Sequence, residues 1–525
     1  MLICAALSAA PPQSAAAAPV VTFNVVGKSV LELANAQSQG RVTSLQLVDA
    51  YLARIYRIDR AGPALHSVLA INPEARAQAR ALDRERAAGR VRGPLHGIPI
   101  LIKDNIETAD PLPTTAGSLA LARNVSGRDA PLVARLRAAG AVILGKANLS
   151  EWANIRSSVS ISGWSAVGGQ TRNPYALDRS ACGSSSGSAA AVAASLAAAA
   201  VGTETDGSIT CPASLNGLVG IKPTVGLVSR ARVVPISHSQ DTPGPITHTV
   251  ADAALLLSIM AGTDPLDQAT VEADAHKGGI EDATAKPGLS GVRIGVLKIN
   301  GAPFAVKTLF DAVVKRVAGA GATVVEVEGP ADTDKLGDME MTVMLTEFKA
   351  DLDAYLATTP AAQQVRTLAE VIAFDRQHAA EEMSYFGQDL FEQAQASSGL
   401  QDPQYLKARE TSRLAAGPDG LDKILSSQQL QVLIVPTMGP AFLIDPINGD
   451  AFNWSGPGNL PAIAGYPHLT VPMGLVKGLP VGLSVIGPAW SDARVLALGG
   501  ALEQLLGRVP RPTYAPTLVR LNSLR

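Results

Sequence analysis

Residues 182–223, CGSSSGSAAAVAASLAAAAVGTETDGSITCPASLNGLVGIKP, carry two serine-bearing glycine turns separated by an alanine-rich run with almost no polar side chain. A solvated linker would be polar, so this run predicts a buried helix ending in a short strand. The turns are Gly183-Ser184-Ser185-Ser186-Gly187 and Thr205-Asp206-Gly207-Ser208. Serines on turns where glycine lets the backbone approach a ligand suit covalent catalysis, although any one such turn serves equally well as a helix cap. A stretch this apolar must be enclosed, and the chain is large enough to do so. Its 525 residues are 47% hydrophobic and 17% charged, a globular composition with no signature of disorder. No internal repeat or low-complexity linker interrupts it, which argues for one domain.

Charge excludes some partners. The 44 basic and 46 acidic residues leave a net charge of −2 with neither sign clustered, so no nucleic-acid footprint is expected. Apolar runs are too short and interrupted for a membrane span. The N-terminal MLICAALSAAPPQSAAAAPVV has an apolar run and then Ala16-Ala17-Ala18-Pro19, the form of a signal-peptidase site, though it lacks a basic start. Residues 1–19 are therefore read as a signal peptide and the protein as exported, periplasmic or secreted; otherwise its home is the cytoplasm. Cys4 would leave with that segment. Cys182 and Cys211 flank the serine turns, and both a disulfide and two buried thiols stay open.

The rest of the chain reads as an α/β scaffold. Thr43-Ser44-Leu45-Gln46 has the form of a capping box, and Asn72-Pro73 opens a charged helix to about residue 88. Residues 98–102 are wholly apolar and predict a strand buried on both faces, closed by Lys103. His96 reads as a turn histidine away from that lysine. Asp104 is no easy partner for Lys103, since neighbours on a strand point to opposite faces. A strand at 141–144 is followed by an expected loop region from Gly145, and 236–245 reads as another loop. Strand–helix–strand rhythm resumes at 292–327. Residues 332–430 predict a helical cap with solvated charged faces. Strands and a helix at 432–505 return to the core.

Three serine chemistries fit some of these residues. Gly183-Ser184-Ser185-Ser186-Gly187 matches the nucleophile elbow of α/β-hydrolases with Ser185 as nucleophile, but no strand feeds it, and the one downstream histidine that could serve, His468, reads as part of a proline-bounded loop. A Ser-x-x-Lys enzyme fails, since no lysine has a serine three residues before it. A Ser-Ser-Lys system fits Lys103, Ser184 and Ser208.

That third pattern resembles the amidase signature family. The resemblance rests on Gly97-Ile98-Pro99 with Lys103-Asp104, the Gly-Ser-Ser turn, Gly202-Thr203 to Ser208-Ile209, Gly220-Ile221-Lys222-Pro223-Thr224 and Gly478-Leu479-Pro480-Val481-Gly482-Leu483. It implies one α/β domain from residue 20 to 525, a large mixed sheet flanked by helices, with the signature core at about 90–250 and the helical cap at about 332–430. It implies Ser208 as nucleophile, Ser184 as bridging serine after a cis peptide bond, and Lys103 as base. It places an oxyanion hole in the backbone of Thr205, Asp206, Gly207 and Ser208. The base must be neutral, which requires the pKa of Lys103 to fall by about 3 units, and burial at the strand end would supply that. No metal or organic cofactor is implied.

The chain departs from the usual family pattern at Asp206, Thr210 and Ser186, which stand where glycine, arginine and glycine are common. Its strings TETDGSI and CGSSSGSAAAVAA resemble the branch that removes the C-terminal amide of peptides. The expected activity is hydrolysis of a carboxamide to acid and ammonia by a monomer, on a peptide or small-molecule amide. The alternatives are a general amidase for small aliphatic or aryl amides, an amidotransferase subunit acting on charged tRNA with partner subunits, and an inert binding scaffold.

Overall fold

A computed structural model describes residues 23–285, 288–330, 333–452 and 454–518. The expected signal peptide at 1–19 lies outside the described residues. Thirteen strands are formed among them. The first five are β1 (Val68–Ile71), β2 (Pro99–Lys103), β3 (Val142–Ala147), β4 (Trp164–Ser165) and β5 (Gly169–Gln170). Next come β6 (Ala199–Glu204), β7 (Val219–Lys222), β8 (Thr242–Thr247), β9 (Arg293–Leu297) and β10 (Thr323–Val327). The last three are β11 (Val432–Pro436), β12 (His468–Val476) and β13 (Leu479–Ile486). Eleven of them form one mixed sheet in the order β1-β3-β2-β6-β8-β7-β12-β13-β11-β9-β10, and β4 and β5 make a separate ribbon. Helices cover both faces of this single α/β domain. Among the described residues no helix is long and apolar enough to cross a membrane.

The alanine-rich run forms the helix Ser186–Ala193, buried at every position, and then turns into β6. Small residues are required there because the helix lies against the sheet: a Cβ on Gly187 would stand 2.3 Å from the carbonyl oxygen of Ser67 and 2.4 Å from that of Asn148. β2 lies between β3 and β6, parallel to both, so its backbone is paired on both edges and its apolar side chains are buried on both faces.

Four local expectations are corrected. The strand expected to end at 144 runs on through Gly145, Lys146 and Ala147, because Lys146 finds a carboxylate inside the core, at Asp104. Within the segment read as a loop at 236–245, Thr242-Pro243-Gly244-Pro245 begins β8. Proline removes a ladder donor, but Pro243 and Pro245 face Thr203 and Val201 of β6, while the pairing with β7 involves only Ile246 and Thr247. His468 opens β12 and does not lie in a loop. The charged helix begins at Ala75, not Pro73, with the Asn72 side chain accepting from the N–H of Glu74.

Residues 333–427 are mainly helical, and their longest helix is Thr333–Ala357. Phe348, Leu352 and Leu356 of that helix pack with Trp152, Ile155 and Ile236. A polar latch adds to this contact: His238 bonds Asp351 at 2.9 Å and lies 3.2 Å from Glu347. Glu347 also accepts from Ser237, Ser239 and Tyr405. The ligand atoms of His238, Glu347 and Asp351 lie within 4.8 Å of one another, but their hydrogen bonds already satisfy one another, as in an ion-paired clasp.

Candidate active site

Lys103 closes β2 with its side chain wholly buried. Its Nζ donates to Ser184 Oγ at 2.7 Å, to Thr203 Oγ1 at 2.8 Å and to the Thr203 carbonyl at 3.2 Å. No carboxylate touches it among the described residues. Burial lowers its pKa to about 7, while Asp241 and Glu204 pull it back up from a distance. Asp104 points the other way, to Lys146 at 3.3 Å. His96 is occupied at both ring nitrogens, by the Leu82 carbonyl and the Arg92 N–H, and belongs to its turn as expected.

The two serine turns meet at the end of β2. The Gly183–Ser184 peptide is cis, and a Cβ on Gly183 would stand 2.1 Å from Ser150 Oγ. The Ser185 N–H donates to the Ser208 carbonyl at 3.1 Å, and Ser185 Oγ donates to the Thr203 carbonyl at 3.1 Å. A disulfide between Cys182 and Cys211 ties the turns together, with Cα atoms 6.0 Å apart; this resolves the open choice between a bond and two thiols. Lys103 and Ser184 are thus brought into contact, whereas Ser208 makes no side-chain hydrogen bond among the described residues. Ser208 instead lines a cavity. The N–H groups of Asp206, Gly207 and Ser208 likewise have no acceptor among the described residues.

Glu204 is a site residue that the sequence reading missed. Its Oε2 accepts from the N–H of Ile209 at 2.7 Å, the N–H of Thr210 at 2.9 Å and Thr210 Oγ1 at 3.2 Å. It therefore holds the backbone directly after Ser208, and Thr210 joins that grip where the family pattern has arginine. The available signal was an acid at the end of an apolar strand, four residues before the serine.

The cavity has a volume of about 910 Å3 and is walled by Met341, Met344, Met438, Phe452 and Trp454 among others. Asp206 and Glu340 also line it. The Asp206 side chain is exposed and lines the cavity. Protein around the turn nevertheless pushes its pKa up to about 7, with Glu204 pushing the same way and Lys222 opposing. Glu340 is pushed well above the carboxylate range by burial and by Asp206.

The family model for amidases matches residues 46–496. The chain is 39% identical to a probable amidase of Arabidopsis thaliana, over 92% of this chain and 91% of that one. The chain belongs to the amidase signature family. Among solved structures, native peptide amidase from Stenotrophomonas maltophilia is 47% identical with a TM-score of 0.87, covering 93% of this chain and 99% of that one. A peptide amidase in complex with the competitive inhibitor chymostatin is 48% identical with a TM-score of 0.89, covering 94% and 100%. This family member is accordingly an amidase, a hydrolase of carboxamides. Its large mixed sheet flanked by helices matches those of the solved amidases.

Proposed function

We propose that this amidase cleaves the C-terminal amide of peptides through Lys103, Ser184 and Ser208. The observation that carries the mechanism is a buried amine in contact with a serine hydroxyl and with no carboxylate to hold its proton. Neutral Lys103 accepts a proton from Ser184 as Ser184 takes one from Ser208. Ser208 Oγ then bonds to the amide carbon, and the carbonyl oxygen becomes an anion facing the unsatisfied N–H groups of the turn from Thr205 to Ser208. Such donors stabilise developing charge because they are in place before it forms. Ser184 returns a proton to the nitrogen, the C–N bond breaks and ammonia leaves. Water repeats the sequence on the ester to give the carboxylic acid.

A peptide substrate is supported by the peptide amidases named above and by a cavity with thioether and aromatic walls, large enough for several residues. Export is supported by the Cys182–Cys211 disulfide, a bond that persists in oxidising compartments. The test is ammonia release from a panel of peptide amides and small aliphatic and aryl amides. Peptide amides should have the highest kcat/KM, whereas equal or better turnover of small amides would favour a general amidase. Ser208→Ala should abolish release with folding intact; activity near wild type would remove Ser208 as nucleophile.

A further inference from the structure

The wall of the cavity beside the nucleophile turn offers hydrogen-bond acceptors that the protein itself does not use. Asp206 belongs to that turn and projects its carboxylate into the cavity; a Cβ on Gly458, across from it, would stand 4.0 Å from Asp206 Oδ1. Glu340 comes from the long helix Thr333–Ala357 and is 4% exposed. One of its oxygens accepts from Gln240 at 2.7 Å, and the other accepts nothing among the described residues. A third acceptor is independent of the two acids. His468 lines the same cavity and is 1% exposed. Ser484 donates onward to Thr437, so its oxygen accepts from His468 Nε2 at 2.6 Å. That bond places the ring proton on Nε2 and leaves a lone pair on Nδ1, which has no partner among the described residues. Buried polar atoms are normally paired, and an orphan in a site calls for a ligand group to complete it.

We infer that this wall binds a cationic nitrogen of the substrate, an ammonium or guanidinium close to the scissile amide, and that Asp206 and Glu340 determine specificity for it. This rests on the amidase reading above and names the class of amide preferred. A donor-rich group suits these three acceptors, and a cation gains most because two carboxyls face it. The geometry limits the reach. Asp206 contributes backbone to the turn that faces the carbonyl oxygen, so its carboxylate lies within about one residue of the reacting carbon. The free α-ammonium of an amino-acid amide and the side chain of a terminal basic residue both fall in that range. Other charged groups surround the pair: Glu204 and Lys222 near Asp206, Asp241 bonded to Thr205 of the same turn, the neutral His468, and the Lys298–Glu328 ion pair elsewhere on the cavity wall. Lys222 is buried behind the turn, donates to the Pro223 carbonyl, and is lowered to about 8 by burial. Carboxyls outnumber amines around the wall. Enclosure and Glu204 hold Asp206 up in pKa, and burial and Asp206 hold Glu340 up; an arriving cation favours the ionised form of both.

The experiment compares N-acetyl-argininamide with N-acetyl-leucinamide, and leucinamide with N-acetyl-leucinamide, so that side-chain and terminal cations are read separately. In the wild-type enzyme at least one cationic amide should exceed its neutral counterpart in kcat/KM by about tenfold, the scale of a partly desolvated charge-assisted hydrogen bond. The arginine ratio should grow between pH 6 and 8 as Asp206 ionises; the titration of Lys103 affects both substrates alike and cancels in the ratio. Asp206→Asn and Glu340→Gln should bring the ratio toward 1, through KM for the cationic amide. Calorimetric binding of the same ligands to Ser208→Ala reads the preference without turnover, so a failure of the amidase reading and a failure of this one are distinguishable. Neutral amides bound and cleaved as well as cationic ones would overturn the proposal, and so would a ratio unchanged in both carboxamide variants.

Discussion

Lys103 and Lys146 lie at the ends of the neighbouring parallel strands β2 and β3, the last residue of one and the next to last of the other, both wholly buried, and they have opposite surroundings. Lys146 Nζ lies 3.3 Å from Asp104 and donates to the Ile106 carbonyl and to Thr114 Oγ1. Lys103 meets two hydroxyls and a carbonyl. Burial lowers both amines, but in Lys146 a contacting carboxylate opposes that fall, whereas around Lys103 the nearest acids act only from a distance. Burial by itself therefore does not make a base. A buried lysine with a countercharge in contact is a structural ion pair; one given only neutral oxygens can lose its proton near neutral pH and then accept another.

The largest effects should separate the two lysines. Lys103→Ala is expected to lower kcat/KM about a thousandfold or more while leaving the melting temperature near or above that of wild type. Lys146→Ala should do the reverse, because it leaves Asp104 buried and unpaired, at about 3–5 kcal/mol in denaturant unfolding. A Lys146→Ala protein as stable as wild type would break the comparison.

Reducing the Cys182–Cys211 bond, or replacing both residues with alanine, removes the tie between the serine turns across a separation of 29 residues. A loop of that size gives a stability loss of about 3.6 kcal/mol, read by calorimetry, together with a fall in kcat.

pH sharpens the contrast further. The proposed mechanism requires neutral Lys103, so kcat/KM should rise with pH through about 7, the value to which burial lowers this amine. The unfolded chain holds that proton up to its ordinary pKa of about 10.4, so between these values it binds more protons than the folded chain. Stability should therefore increase with pH across that interval, and Lys103→Met should lack this slope.

The smallest effect concerns the clasp on the cap. His238 is raised above its ordinary pKa first by its bond to Asp351, with Glu347 adding to it. Its stabilisation is present below about 6.5 and is lost as pH rises through the raised value. Since the ring is partly exposed, His238→Ala should cost less than about 1 kcal/mol, seen as a small drop in melting temperature at pH 6 that vanishes by pH 9.

Much of this was legible in the chain. The apolar run before Lys103 and the alanine-rich helix are local patterns, and burial on both faces follows from having no polar side chain to expose. The joint spacing of Lys103, Ser184 and Ser208 carried the family resemblance. Other features were not legible, for identifiable reasons. Gly145-Lys146-Ala147 reads as a strand end because lysine usually seeks water; only the distant Asp104 lets it stay inside. The prolines of β8 argue against a strand until the pairing shows where their missing donors fall. Glu204 has an unremarkable local context, and its grip on the backbone after Ser208 exists only once the turn has closed.

From sequence alone, then, come the chemistry-bearing residues and the elements that bury them, because hydrophobic period and turn composition act over a few neighbours. The tertiary structure decided which buried lysine meets a carboxylate and which does not, and it brought Glu340 and His468 to the wall that Asp206 faces. Those outcomes depend on charges and dipoles placed to within an ångström or two by segments far apart in the chain, and electrostatic energies in a dry interior change steeply over such distances.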